Sequence, residues 1–281
     1  MFIEVLKAIL FGIVEGITEW LPISSTGHMI LVDQFVHLDV SDEFYKMFEV
    51  VIQLGAIMAV VLLFWNKLWP FCMKKIKSSS QKSLSFKEGA LEMWIKIIIA
   101  CIPAAIVGLL FDDKIDELFY HPAPVAIALI VVGILFILVE RYKKDSKPIM
   151  CSIKDLTYKA VIIIGLFQVF AAVFPGTSRS GATIIGALLI GVSRATAAEF
   201  TFFLAVPVMF GASLLKAVKY VAAGVTITSA EIGILIIGTL VAFIVSIFVI
   251  KFLMEYIKKH DFQVFGWYRI LLGILVLLIL R

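Results

Sequence analysis

Two carboxylates, an imidazole, a guanidinium and a cluster of hydroxyls are gathered in two short stretches of this chain. One is Glu15-Gly-Ile-Thr-Glu19-Trp-Leu-Pro-Ile-Ser-Ser25-Thr-Gly-His28; the other is Pro175-Gly-Thr-Ser178-Arg179-Ser180-Gly-Ala-Thr183. Both lie inside strongly apolar sequence. Ionisable groups at membrane depth are costly unless paired or hydrated, so they point to function. An acid, a base, a phosphate-binding fork and a candidate nucleophile together suit the handling of a phosphate group within a membrane.

Glu15 and Glu19 are four residues apart and share one face of a helical segment. Two such carboxylates in low dielectric repel, and persist if a cation sits between them or one keeps its proton. A hard divalent ion, Mg²⁺ or Ca²⁺, suits oxygen ligands that also face a phosphate. Glu49 and Gln53 repeat the spacing and could complete a metal or substrate shell, although interhelical hydrogen bonding serves Gln53 equally well. Pro22 ends the first apolar piece; Ser24, Ser25 and Thr26 follow, Gly27 permits a tight turn, and His28 begins the return. Backbone N–H groups at such a helix start, with hydroxyls beside them, form an anion cradle. His28 is spaced to act as the general base of Ser25 or as the acid for a leaving group. In the second stretch Pro175 and Gly176 break the helix, Ser178 and Ser180 supply hydroxyls, and Arg179 offers the planar fork that matches a phosphate.

Other polar residues read as ordinary. Lys216, Lys219 and Asp33 look like helix-end charges, and Glu199 like an interhelical hydrogen bonder. Trp20, Trp65, Trp69 and Trp267 fit an interfacial aromatic belt. Cys72, Cys101 and Cys151 are spaced for neither a metal knuckle nor a disulfide framework.

The elements that must position these groups are set by hydropathy. Hydrophobic residues make up 62% of the 281 residues and charged ones 16%, with a mean hydropathy of +1.05, which excludes a water-soluble globule. The N-terminal stretch lacks the basic region and small-residue cleavage site of a signal peptide. Six apolar stretches are long enough to cross a bilayer, near 48–65, 94–111, 122–139, 196–215, 233–252 and 267–281. Four shorter ones, 2–14, 29–38, 160–174 and 182–192, come as two pairs, each joined by one polar stretch. That pattern predicts two re-entrant helix hairpins.

Lys and Arg accumulate in 66–93, 140–159 and 253–266, which are expected to be cytoplasmic, whereas 112–121 is acidic and expected outside. Both termini then fall outside. A shift of 153 residues places Gly12 on Gly165, Pro22 on Pro175 and Ser25 on Ser178. Three spans separate the hairpins, so the first enters from outside and the second from the cytoplasm. The expected fold is therefore a single all-α polytopic membrane domain, 1–281, built of two inverted-topology repeats. Repeat 1 covers 1–140 with its hairpin at about 2–38, and repeat 2 covers 155–281 with its hairpin at about 160–192. Each repeat is a hairpin plus three transmembrane helices, the two loops meeting near the midplane.

These motifs, with Phe-Glu-Val-Val-Ile-Gln-Leu-Gly from Phe48 to Gly55 and Ala-Glu-Phe-Thr-Phe-Phe-Leu-Ala-Val-Pro ending at Pro207, resemble the bacterial undecaprenyl-diphosphate phosphatases of the BacA type, linked to bacitracin resistance. The likeness runs nearly end to end, with no departure at a motif position. It implies removal of the terminal phosphate of undecaprenyl diphosphate, returning the monophosphate carrier to cell-wall synthesis. It also implies a divalent cation, a multi-pass protein of the bacterial plasma membrane, and an active site open to the external face. Carried over, Glu15, Glu19, Ser25, His28 and Arg179 are the expected active-site set, with Ser178, Ser180 and Thr183 as phosphate neighbours. Joined to the reading of the residues above, this makes Ser25, His28, Glu19 and Arg179 the expected catalytic residues, and Glu15, Glu19 and Glu49 the expected metal ligands. Ser24, Thr26, Gly176, Thr177, Ser178, Ser180, Thr183 and Gln53 are the expected substrate contacts. The expected partners are a polyprenyl diphosphate lipid and the bilayer, with room for a homodimer and no nucleic acid.

Ser25, deprotonated by His28, is the favoured nucleophile; water activated by His28 or a glutamate is the alternative. A transporter or flippase for lipid phosphates is the rival class, since inverted re-entrant repeats are transporter architecture. A pure transporter has no use for a Ser–His pair beside a metal site.

Overall fold

A computed structural model describes residues 2–75, 82–222, 224 and 226–280. Lys77 of the basic segment 66–93, and Arg281 at the end of the sixth expected span, lie outside the described residues. Among the described residues eleven α-helices carry the architecture: α1 (Phe2–Thr18), α2 (Ser25–Asp33), α3 (Asp42–Leu63), α4 (Trp65–Leu68), α5 (Ala90–Phe119), α6 (Pro122–Tyr142), α7 (Tyr158–Val173), α8 (Arg179–Leu189), α9 (Arg194–Ala222), α10 (Ser229–Tyr256) and α11 (Gln263–Ile279). Between α4 and α5 a short antiparallel ribbon pairs β1 (Phe71–Lys75) with β2 (Lys82–Phe86), in the register Phe71 opposite Phe86. The apolar periodicity of the chain gave no warning of this ribbon.

Each expected span falls on helix, the sixth as far as Ile279. Helices α3, α5, α6, α9 and α10 are long and apolar enough to cross a bilayer, whereas the 17 residues of α11 fall just short of that length. The protein is thus an all-α, multi-pass membrane protein. Helix starts are written locally. Ser41 and Thr157 cap α3 and α7, Thr228 and Glu231 form a reciprocal capping box on α10, and Pro122 opens α6.

The four short pieces fold as two pairs, α1–α2 and α7–α8, each packed on itself. Their docking is reciprocal: α1 lies against α10, and α7 against α5, while α3 packs on α9 and α6 on α11. Two glycines permit the first two contacts. A Cβ on Gly12 would stand 2.6 Å from the Gly238 carbonyl oxygen, and one on Gly165 2.6 Å from that of Ala100. Small residues let helix backbones approach this closely where lipid offers no hydrophobic drive between helices.

The expected sides sort to opposite ends of the bundle. At one end Glu140 accepts from the Phe262 amide and Lys96 donates to the Ile153 and Lys154 carbonyls, joining the basic segments. At the other, Lys219 pairs with Asp113 at 2.9 Å and Lys216 with Asp116 at 3.1 Å. Trp65, Trp69 and Trp267 are about half exposed, as a belt requires. Trp20 is not. It is fully buried, edge-on to Phe202 with ring centroids 5.2 Å apart, and belongs to the main apolar core.

Candidate active site

The polar stretches become the tips of the two hairpins, and the tips touch. Helix α1 ends at Thr18, but the Glu19 amide still donates to the Glu15 carbonyl at 3.0 Å, so the two carboxylates keep their four-residue spacing. The chain turns over Pro22 and restarts at Ser25; Ser24 caps α2 by accepting from the Gly27 amide at 3.4 Å. In the second hairpin Ser178 caps α8 by accepting from the Gly181 amide at 3.2 Å. Both capping serines have positive φ, 74° and 68°. The structurally equivalent pair is thus Ser24 with Ser178, not Ser25 with Ser178. The second loop carries one extra residue between proline and cap, which a constant shift of 153 cannot show.

Arg179 crosses between the hairpins. One terminal nitrogen donates to Glu19 Oε1 at 2.9 Å and the other to the Thr201 carbonyl at 2.9 Å. The second oxygen of Glu19 accepts from the Ser25 hydroxyl at 3.0 Å. Glu19 therefore links the candidate nucleophile to the guanidinium. Ser180 shares a hydrogen bond with Ser178 at 3.0 Å and donates to the Glu19 carbonyl at 3.4 Å. Thr183 is fully buried, bonded to Thr201 at 2.8 Å and to the Arg179 carbonyl at 2.9 Å, so it supports the loop from behind.

His28 is placed otherwise than expected. Its Nδ1 lies 2.7 Å from the Ser24 carbonyl oxygen, which can only accept, so this nitrogen carries the proton. Its Nε2 then accepts from the Tyr268 hydroxyl at 2.7 Å. Both ring nitrogens are engaged away from Ser25, and the hydroxyl's acceptor is Glu19. The spacing of three residues could place His28 near Ser25 but could not show which group it faces.

A cavity of about 470 Å³ opens beside these groups, lined by Glu19, Ser25, Thr26, Gln53, Ser178 and Arg179 at its polar side. Gly176 also borders it. Towards the end of the bundle that holds Asp113 and Lys219 its wall turns apolar, with Gly108, Leu109, Gly211 and Leu215. One chamber therefore offers a polar tip and an apolar flank.

The carboxylates divide. Glu15 is 1% exposed and neither side-chain oxygen has a hydrogen-bond partner among the described residues. Such orphaned oxygens fit a cation. Glu49 accepts from the Tyr120 hydroxyl at 3.3 Å. Among the described residues no group of three or more His, Cys, Asp or Glu side chains is arranged to hold a metal, so the expected trio Glu15, Glu19 and Glu49 does not form a ready-made shell.

Arg269 escaped the sequence reading altogether. It is fully buried on α11 and spans both hairpins: it donates to the Pro22 carbonyl at 3.2 Å, and to those of Gly176 and Thr177 at 2.7 and 2.9 Å. The signal was available, since one arginine inside the apolar stretch 267–280 meets the same test as Arg179. Glu140, just past the span 122–139, is also buried and is held by Arg194.

Residues 8–275 match the family described as bacitracin resistance protein BacA. The chain belongs to the BacA family. Its similarity to curated BacA-type relatives is nearly full-length. It is 63% identical over 275 residues to undecaprenyl-diphosphatase 1 of Clostridium acetobutylicum, covering 98% of this chain and 97% of that one. It is 59% identical over 276 residues to undecaprenyl-diphosphatase of Desulfitobacterium hafniense, covering 98% and 96%. It is 54% identical over 275 residues to undecaprenyl-diphosphatase 1 of Clostridioides difficile, covering 98% and 96%.

Proposed function

We propose that this protein hydrolyses undecaprenyl diphosphate to undecaprenyl phosphate and inorganic phosphate, recycling the lipid carrier for wall synthesis and so conferring bacitracin resistance. The observation that carries the reading is the bridge from Ser25 through Glu19 to Arg179 at a cavity with one polar and one apolar side. The relatives' names point the same way.

In this mechanism the prenyl tail lies along the apolar wall and the diphosphate enters between the hairpin tips. Arg179 and the amides at the start of α8 hold the terminal phosphate. Glu19 takes the Ser25 proton as Oγ bonds to the terminal phosphorus. The anhydride P–O bond breaks, and undecaprenyl phosphate leaves with the electron pair. Water then cleaves the phosphoserine, with Glu19 returning the proton to Ser25. Serine in place of water as first nucleophile is favoured by the Ser25–Glu19 contact itself. Thr26, Gln53, Thr177, Ser178 and Ser180 are proposed as headgroup surroundings.

A divalent cation, Mg²⁺ or Ca²⁺, fits Glu15 and Glu19, with the remaining ligands supplied by phosphate oxygens and water, as Mg²⁺ accepts. When bound it would supply positive charge against that developing on the phosphate. The cavity leans towards the end away from the basic segments, which supports an opening on the external face of a bacterial plasma membrane. The reciprocal packing of α1 and α7 supports the inverted repeat. A homodimer stays within the proposal, and nucleic acid has no part in it.

Phosphate release from undecaprenyl diphosphate by the detergent-purified protein, with and without EDTA, tests the reading. Metal-dependent release abolished by Arg179→Ala and Glu19→Ala is expected. No release by folded wild-type protein would overturn it and favour transport.

A further inference from the structure

Gln168 sits on α7 seven residues before Pro175 and is 2% exposed. Neither its amide nitrogen nor its amide oxygen has a hydrogen-bond partner among the described residues. It lines the cavity that also holds Arg179, Ser25 and Gln53. Stranding a buried polar group costs its full desolvation penalty, so natural proteins rarely do so without a reason.

A second orphan clarifies the first. The shift that brings Gly12 onto Gly165 and Pro22 onto Pro175 also brings Glu15 onto Gln168. The entering half-helix of each hairpin thus carries one buried, unpartnered polar side chain at the same position, α1 a carboxylate and α7 its neutral amide. A carboxylate repels a phosphate unless a cation lies between them. An amide offers two N–H donors without that repulsion.

We propose that Gln168 is a ligand of the substrate headgroup, its amide N–H groups donating to phosphoryl oxygens of the bound lipid diphosphate. It is the neutral counterpart of Glu15 in a pair that approaches the headgroup from the two hairpins. The proposal rests on the phosphatase reading and adds a residue to it. The unsatisfied amide is the cost of a site that is complete only when the substrate is bound.

The test exploits that cost. Gln168→Leu keeps the shape and removes only groups that have no partner among the described residues. Its ligand-free Tm should therefore hold or rise, while KM for undecaprenyl diphosphate rises about ten-fold, as loss of one hydrogen bond to a charged group requires. Gln168→Glu, which adds a charge facing the phosphates, should raise KM further. Unchanged KM in both variants would overturn the proposal, as would a lowered Tm or misfolding of Gln168→Leu, which would mark a structural amide. Wild-type protein assayed alongside separates the two levels. An inactive wild type strikes at the phosphatase reading, whereas an active wild type with indifferent Gln168 variants strikes at this residue alone.

Discussion

Ser24 and Ser178 hold the same unusual backbone conformation at the tips of the two hairpins, φ 74° and 68° with ψ 103° and 122°. Among the described residues no other non-glycine residue has positive φ. Each accepts, through its hydroxyl, an amide N–H three residues on, and so closes the first turn of the returning half-helix. Positive φ costs an L-residue on the order of 1–3 kcal/mol and persists where the surroundings dictate it, commonly at sites of function.

The cap and the strain oppose each other, and two substitutions separate them. Ser24→Ala keeps the strained φ and loses the acceptor, so it should destabilise by about 1 kcal/mol. Ser24→Gly loses the same acceptor but relieves the strain, so Tm should hold or rise. Thermal unfolding of the two variants in one detergent checks the sign. Equal losses would show that the backbone there is unstrained.

Arg179 illustrates what the sequence disclosed and what it withheld. That a guanidinium within apolar sequence must face a polar site followed from the cost of burying it, and the hairpins followed from apolar pieces too short to cross. Its partners did not follow. The bond to Glu19 joins residues 160 apart in sequence, and no spacing encodes that. A three-residue interval places His28 near Ser25 without fixing the orientation of its ring. Tyr268, which captures Nε2, lies 240 residues away. The pairing of β1 with β2 leaves no mark in the sequence, because both strands lie in a basic connection with no apolar periodicity.

Because Arg179 makes two directed bonds, charge alone cannot replace it. Arg179→Lys retains the cation but cannot reach Glu19 and the Thr201 carbonyl in one plane. Its kcat/KM should fall by about 10- to 100-fold, corresponding to one lost charge-assisted bond, with Arg179→Ala lower still. Steady-state kinetics on the three proteins decides; a lysine variant with wild-type kcat/KM would reduce Arg179 to a point charge.

Arg269 is committed to backbone carbonyls of both loops, and its loss should register as stability. Its guanidinium satisfies carbonyls from both loops, and Arg269→Met would strand them while leaving the helix surface apolar. Stranding buried carbonyls costs about 1–3 kcal/mol each. The Tm should therefore drop by roughly 5–10 °C. KM measured well below the new Tm should change less than in Arg179→Lys. A variant with unaltered Tm would mean that the loops hold each other without this clamp.

The identity of the base rests on which group faces Ser25. Glu19 Oε2 accepts a hydrogen bond from the Ser25 hydroxyl at 3.0 Å, whereas His28 spends one nitrogen on the Ser24 carbonyl and the other on Tyr268. Glu19→Gln removes the proton acceptor while keeping the shape, and general-base loss costs about 10²–10⁴ in rate. With substrate labelled in its terminal phosphate, rapid quench of wild-type protein should trap label on Ser25, and Glu19→Gln should trap none. His28→Asn should still acquire label, more slowly, because the imidazole orients the start of α2 without touching the hydroxyl. Label lost in His28→Asn but kept in Glu19→Gln would return the base to the imidazole.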